Sequence, residues 1–95
     1  MIIIELSYKV PLEQIDAYLQ AHTSFLEKYY AAGTFIASGR KIPRDGGVIL
    51  ATDIDKEQAA MLIKEDPFYQ NGLADYKITE FAVTKKAANI DPIFS

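Results

Sequence analysis

The chain has 95 residues, of which 49% are hydrophobic and 12% are aromatic; it contains no cysteine and carries a formal net charge of −3. This composition is that of one small globular domain, and the lack of cysteine excludes disulfides, thiolate metal sites and a cysteine nucleophile. The ten Lys and Arg residues are interspersed with thirteen acidic residues, so no basic stripe exists for a nucleic-acid backbone. We therefore expect a single cytoplasmic domain over residues 1–95 that binds no nucleic acid.

The first two elements follow from the spacing of apolar side chains. Ile2–Tyr8 alternates as a strand does, and its apolar start meets Glu5 too soon for a signal peptide or a membrane span. From Pro11, a favourable first helical residue, apolar and aromatic side chains then recur every three or four positions until Gly33. The pattern predicts one long amphipathic helix over residues 11–32.

The rest of the chain predicts two more strands, a helix and a last strand. Residues 34–39 and 48–52 are short and β-prone, and the Asp45-Gly46-Gly47 turn signal lies between them. Asp55 and Gln58 resemble a capping box for a helix that ends before Pro67. After one helical turn, residues 76–84 have the composition of a strand.

The order β-α-β-β-α-β predicts an α+β protein of the ferredoxin-like, split β-α-β class. In this class a four-stranded antiparallel sheet carries its helices on one face and leaves the other face bare. A second subunit that packs face to face would cover that bare face, so we expect a homodimer and leave further assembly open. The tail of residues 85–95, with Ile93 and Phe94, is expected to reach the partner.

His22, the only histidine, lies on the inward face of the predicted first helix, seven residues after Ile15 and three before Phe25. Asp66 continues the apolar stripe of the second helix at a spacing of three, so its carboxylate is expected under that helix. A carboxylate bonded to one imidazole nitrogen fixes the tautomer and makes the ring more basic, which is the arrangement of a general base.

Each of these two residues also has a purely structural interpretation. His22 could be a neutral core histidine bonded to a backbone carbonyl, and an aspartate directly before Pro67 is a typical N-cap. The sequence does not fix the axial offset between the two helices. Both interpretations therefore stay open at this stage.

Several short motifs in this order resemble the YCII-related (YciI-like) family. They are Ser38-Gly39 at the end of the second strand, the Pro43-to-Val48 hairpin, Asp66-Pro67-Phe68 followed by Gly72-Leu73, and the single helix-1 histidine. The resemblance covers roughly residues 1–84. It implies a dimeric α+β barrel similar to that of muconolactone isomerases, with His22 and Asp66 at the positions of the family's proposed active-site pair. One branch resembles dehydrochlorinases of chlorinated hydroxyhydroquinones.

Arg40 stands where many members of the family have proline, so we expect a different pocket mouth here. Arg40 and Arg44 are candidates for binding an anionic or phenolate group, against the alternative of solubilising turn residues. Backbone N–H groups near Ser38 and Gly39 are candidates for holding a developing oxyanion. Tyr8 is a candidate for hydrogen bonding to a substrate oxygen.

The leading hypothesis is an enzyme that needs no cofactor and uses His22 and Asp66 as an acid/base dyad. Its substrate would be a small hydroxylated ring or a lactone, and its chemistry that of a lyase, dehydrochlorinase or isomerase. The alternatives are a non-catalytic homodimeric module that binds a small molecule and, third, a haem protein with His22 as proximal ligand. We expect no metal site, because a lone histidine without a second inward ligand cannot fill a transition-metal shell.

Overall fold

The computed structural model describes residues 1–90 and contains the predicted order of elements, with the first helical segment divided in two. The elements are β1 Ile2–Tyr8, α1 Leu12–Ala17, α2 Leu19–Ala31, β2 Phe35–Arg40, β3 Gly46–Ala51, α3 Lys56–Ile63, α4 Pro67–Gln70 and β4 Ala74–Glu80.

The four strands form one antiparallel sheet in the order β2-β3-β1-β4. One face of the sheet carries the helices and the hydrophobic core. On the central strand β1, Ile2, Ile4 and Leu6 are buried on that face and alternate with less buried residues, as the sequence pattern predicted. The ferredoxin-like α+β class is therefore confirmed.

Two local sequence signals operate as expected at the ends of helices. The Asp55 side chain accepts a hydrogen bond from the Gln58 N–H, and the Gln58 side chain accepts one from the Asp55 N–H, which completes the capping box of α3. Gly33 follows α2 with φ of 79°, a left-handed conformation in which glycine carries no side-chain penalty.

The prediction of one continuous first helix is wrong at Tyr18. This residue has φ of −109° and ψ of 8°, so it ends α1 and precedes α2, and Pro11 is the N-cap of α1 rather than its first helical residue. The apolar stripe is correspondingly interrupted. Ile15 and Phe25 are buried, whereas Leu19 is exposed because it lines the open cavity described below.

The last strand is shifted toward the N-terminus relative to the prediction of residues 76–84. Its partner β1 is the reason: the pairing runs from Tyr8 with Ala74 to Ile2 with Glu80, and the Phe81 N–H makes one more bond, to the Met1 carbonyl. Beyond Phe81, β1 offers no further residue, so an apolar composition alone cannot continue the strand.

The opposite face of the sheet carries partly buried apolar residues and charged ones. Ile3, Val48 and Leu50 lie on it together with Glu5, whose carboxylate is 2.8 Å from the Lys41 ammonium group. The predicted contacts of Ile93 and Phe94 fall outside the described residues. Over residues 1–90, none of the helices has the length and apolar character that crossing a bilayer requires.

Candidate active site

The His22 ring and the Asp66 carboxylate are in direct contact between α2 and the N-terminus of α4. The His22 Nδ1 atom lies 2.8 Å from Asp66 Oδ1. The aspartate is fully buried and the histidine side chain is 12% exposed, so only the imidazole can reach a ligand. The two groups expected to converge from the sequence therefore do so.

Asp66 occupies a different place from the one its spacing suggests. It lies beyond α3 and is the N-cap of α4, with Pro67 as the first helical residue and with Oδ1 3.0 Å from the Phe68 N–H. The capping role and the contact with His22 are thus both present in one carboxylate. For Asp66, the N-cap interpretation and the interpretation as the partner of His22 are therefore compatible with each other.

A third donor, the hydroxyl group of Tyr76 on β4, completes the surroundings of Asp66. It lies 2.5 Å from Oδ2, the carboxylate oxygen that neither His22 nor Phe68 contacts. Burial raises the pKa of Tyr76, and the negative charge of Asp66 and the hydrogen bond raise it further. The hydroxyl group therefore keeps its proton and donates to the carboxylate.

These contacts determine which nitrogen of His22 carries the proton in the neutral ring. The Phe68 N–H can only donate and Tyr76 also donates, so Asp66 acts as the acceptor in both bonds. As a carboxylate it also accepts from Nδ1–H of His22. Nε2 is then left with a free lone pair, the form that can accept a proton from a ligand.

The ring of Phe68 fixes the plane of the imidazole. The two rings stack with centroids 4.0 Å apart and planes inclined by 4°. Tyr8 packs on Phe68 from β1 with an interplanar angle of 87°. The hydrogen bond to Asp66 and the stack on Phe68 together hold the His22 ring in one position, as a catalytic group requires.

A cavity of about 260 Å³ lies between α2 and the helix-covered face of the sheet, next to His22. Its lining brings together the residues predicted as ligand contacts, Tyr8, Ser38, Gly39, Arg40 and Arg44. Further lining residues are Leu6, Leu19, Thr23, Leu26, Gly47, Val48 and Ile49. Asp66 is not part of the lining and lies behind His22.

Ser38 lines the cavity from β2, and its side chain lies on the helix-covered face of the sheet. It pairs with Ile49 of the core face, and its hydroxyl lies 2.6 Å from the hydroxyl group of Tyr30 on α2. Ser38 and Gly39 belong to β2, and the N–H groups of a strand lie in the plane of the sheet, whereas the cavity lies over its face. The hydroxyl group of Ser38 is therefore the better placed donor.

Arg40 and Arg44 differ in their surroundings. Arg44 lies 2.5 Å from Asp16 of α1, and the hydrogen bond to this carboxylate raises the pKa of the guanidinium group. Arg40 makes no side-chain hydrogen bond or ion pair within residues 1–90. Only Arg40 has its full charge available for a ligand.

Sequence reasoning missed Tyr76 and Phe68 as parts of this site. The composition of the last strand includes Tyr76 without marking it as functional, although its alternation with Ala74 and Ile78 places it on the helix-covered face. Phe68 could have been identified from its position directly after Asp66-Pro67, which keeps it close to the carboxylate that contacts His22. In residues 1–90, the structure contains no group of three or more His, Asp or Glu side chains that could bind a metal ion.

Comparison with known proteins places the chain in a family. A solved structure of 5-chloro-2-hydroxyhydroquinone dehydrochlorinase from Burkholderia phenoliruptrix, in complex with 2,5-dihydroxybenzoquinone, is similar with a TM-score of 0.71. The identity is 16%, and the alignment covers 86% of this chain and 94% of the other. A search of curated proteins gives no significant match. The YCII-related domain matches residues 1–82, and the chain belongs to that family.

Proposed function

We propose that this protein is an enzyme that catalyses proton transfer on a small hydroxylated ring, with His22 as general base and Asp66 as the residue that orients it. One observation carries the proposal: Nδ1 of a cavity-lining histidine is bonded to a buried carboxylate that has two further donors. A ring held in this way presents Nε2 to the cavity. When the ring becomes protonated, the negative charge of Asp66 beside Nδ1 stabilises it.

The proposed step moves one proton to His22 and leaves one electron pair on the substrate. Nε2 of His22 takes a proton from a hydroxyl group or an acidic C–H of the ring, and the electron pair left behind spreads over the ring and its oxygens until a ring carbon takes up a proton or a leaving group departs. In an elimination, a leaving group such as chloride departs with its bonding electrons. The imidazolium is stabilised by Asp66 until it returns its proton to water or to the product.

The size of the cavity supports a small substrate. Ligand pockets for drug-sized molecules have volumes of about 300–1,000 Å³, and this cavity, at about 260 Å³, suits a single substituted ring. A four-ring porphyrin is a poor match for that volume, which disfavours the haem alternative. The similar dehydrochlorinase binds a dihydroxylated quinone ring, in agreement with a substrate of this class.

Deuterium exchange tests the proposal through the proton-transfer step alone, whatever the complete reaction is. Small hydroxylated aromatics and lactones are incubated with the protein in D₂O, and loss of C–H signals is followed by ¹H NMR; chlorinated hydroxyhydroquinones are assayed for chloride release. We expect a protein-dependent rate that falls about 10²- to 10⁴-fold in His22→Gln, the contribution typical of a general base.

Ser24→Ala is the matched control, because Ser24 is exposed on the same helix as His22 and, within residues 1–90, its hydroxyl group donates only to the Gln20 carbonyl. It should retain the full rate. Ligands that bind with no exchange and no chloride release, or a rate that is unchanged in His22→Gln, would contradict the proposal. Binding without turnover would favour the non-catalytic binding module.

We also propose that the protein is a homodimer whose subunits cover each other's exposed sheet faces. Ile3, Val48 and Leu50 are only partly buried on this face, although a chain of this size has little core with which to stabilise itself. Light scattering coupled to size-exclusion chromatography is expected to give twice the mass of one chain for the wild type. Leu50→Glu should lower that mass to one chain, and an unchanged mass would count against this face as the interface.

A further inference from the structure

We propose that the cavity selects anionic substrates and that Arg40 is the residue that recognises the negative charge. The inference rests on the proposed function, because it concerns the same cavity, and it narrows the substrate to rings that carry a carboxylate or are ionised to a phenolate. It also separates the roles of two arginines that lie on one hairpin.

The lining of the cavity is positively charged. Two arginines line it and no acidic residue of the described chain does, although the whole chain has a net charge of −3. Asp16, the acid bonded to Arg44, is not among the lining residues. A concave site with one sign of charge attracts ligands of the other sign.

Of the two arginines, Arg40 is the one whose guanidinium group is free to bind a ligand. Arg44 is held by Asp16 at 2.5 Å, so it connects the β2–β3 hairpin to α1 and its charge is compensated. The guanidinium group of Arg40 makes no ion pair or hydrogen bond within residues 1–90. Its planar set of N–H donors matches a carboxylate or an enolate-like pair of oxygens.

Arg40 and the proposed base, His22, line the same cavity from different elements of the fold. Ser38 and Arg40 are two positions apart on β2 and pair with Ile49 and Gly47 of the core-face register, so both face the helix-covered side. His22 lines the same cavity from α2. A ring between these two walls would have the base at one edge and a cation with a hydroxyl donor at the other.

This arrangement has a chemical consequence for the proposed reaction. Removal of a proton leaves an electron pair that spreads onto the oxygens of a hydroxylated ring. A cation already in place stabilises that developing charge with no rearrangement at the moment of reaction. Arg40 would therefore both select the substrate and lower the barrier for its deprotonation.

The test compares two probes of nearly equal shape, 4-hydroxybenzoate and its neutral analogue 4-hydroxybenzamide. Dissociation constants are measured by titration calorimetry or by ¹H NMR line shifts at low and high salt. We expect the wild-type protein to bind the anion at least about tenfold more tightly, and this preference to shrink as salt rises. Arg40→Met should weaken binding of the anion about 10- to 100-fold and leave the amide unaffected, the size expected for hydrogen bonds to a charged group.

Three variants make the result specific. Arg40→Lys should keep part of the preference, since it retains charge without the bidentate fork. Arg44→Met should keep most of it. Lys41→Met removes a neighbouring cation that is bonded to Glu5 on the opposite sheet face, and it should change neither dissociation constant.

Equal binding of the two probes, no detectable binding of either, or an unchanged preference in Arg40→Met would overturn the inference. The result is independent of catalysis, because His22→Gln removes the proposed base and leaves Arg40 in place. A protein that prefers the anion but catalyses no exchange would refute the proposed function and retain anion recognition. A protein that catalyses exchange but binds both probes equally would retain the proposed function and refute anion recognition by Arg40.

Discussion

The hydroxyl group of Tyr76 donates to Asp66 Oδ2 at 2.5 Å, on the carboxylate oxygen that His22 leaves free. This contact joins β4 to the turn before α4 and to α2 through a single buried carboxylate. The Asp66 carboxylate thereby links α2, which is 44 positions away at His22, to β4, which is 10 positions away at Tyr76. Under the proposed function Tyr76 would be a positioning residue, because it contacts Asp66 and would act on a ligand only through Asp66 and His22.

Replacing Tyr76 by phenylalanine should lower both stability and activity. The change removes one hydrogen bond to a buried carboxylate, which costs about 1 to 3 kcal/mol of unfolding free energy. We expect kcat to fall with little change in KM, because the groups that line the cavity are untouched. Urea unfolding and steady-state kinetics measure the two effects.

Tyr69→Phe is the matched control for that substitution. The Tyr69 ring packs on the ring of Tyr76 with centroids 5.7 Å apart, and its hydroxyl group makes no hydrogen bond within residues 1–90. Its loss should cost less than about 0.5 kcal/mol, as is usual for a surface change. Equal effects of the two substitutions would show that the hydroxyl group of Tyr76 does not support the site.

The pKa of Tyr76 predicts a specific loss of stability in alkali. Burial and the charge of Asp66 raise this pKa in the folded protein above its ordinary value of 10.0. The folded state therefore holds the proton longer than the unfolded state, so the stabilisation is complete below pH 10 and is lost as the pH rises above it. One such group contributes a slope of about −1.4 kcal/mol per pH unit.

Urea unfolding between pH 8 and pH 11 measures this slope against the background of the other titrating groups. The difference in unfolding free energy between the wild type and Tyr76→Phe should be constant up to about pH 10 and should then become smaller. A difference that stays constant to pH 11 would mean that Tyr76 titrates alike in the folded and unfolded states.

Sequence patterns could predict the direction of the His22 ring but not its partner's location. The spacing of three from His22 to the buried Phe25 places His22 on the inward face of α2, and this spacing lies wholly after the break at Tyr18. The spacing of Asp66 from Ile63 assigns Asp66 to the apolar stripe of α3. In the structure, however, Asp66 contacts His22 as the N-cap of α4. The direction in which the chain leaves α3 depends on tertiary packing, which the helical period does not describe.

The same limit explains why sequence patterns do not reveal the role of Tyr76. A composition rich in β-formers identifies its strand, but its contacts depend on the register in which β4 pairs with β1, where Tyr76 lies beside Leu6. Register is set by the length of both strands and by the burial of one face. Neither can be read from the last strand alone, which is also why the predicted end of that strand lies beyond Glu80.

Gly46 should be intolerant of alanine because of its approach to β1. A Cβ atom there would lie 1.9 Å from the Leu6 carbonyl oxygen and 2.9 Å from its carbon, and both belong to backbone that cannot move aside alone. We expect Gly46→Ala to lower the unfolding free energy by about 1 to 3 kcal/mol or more, the range of overpacked sites.

Gly39→Ala is the control, since its Cβ would meet nothing within 4 Å. Chemical denaturation of both variants decides the matter, and similar midpoints would contradict the close approach of β3 to β1.

The capping and orienting roles of Asp66 can be separated by serine and alanine substitutions. Serine is a good N-cap and can still accept a bond from the Phe68 N–H, but its shorter side chain does not reach His22. We expect Asp66→Ser to be more stable than Asp66→Ala by about 1 kcal/mol, the usual worth of a cap. Both variants should lose exchange activity to a similar degree, because both lose the acceptor for Nδ1–H.

The ¹⁵N spectrum of the only histidine supplies a readout that capping alone would not move. In its neutral form, His22 of the wild type should carry the proton on Nδ1, and both variants should show a mixture of the two tautomers, since Asp66 no longer selects one. If Asp66→Ser kept both the activity and the wild-type tautomer, the carboxylate would be a cap only, and the charge behind His22 would have no part in the chemistry.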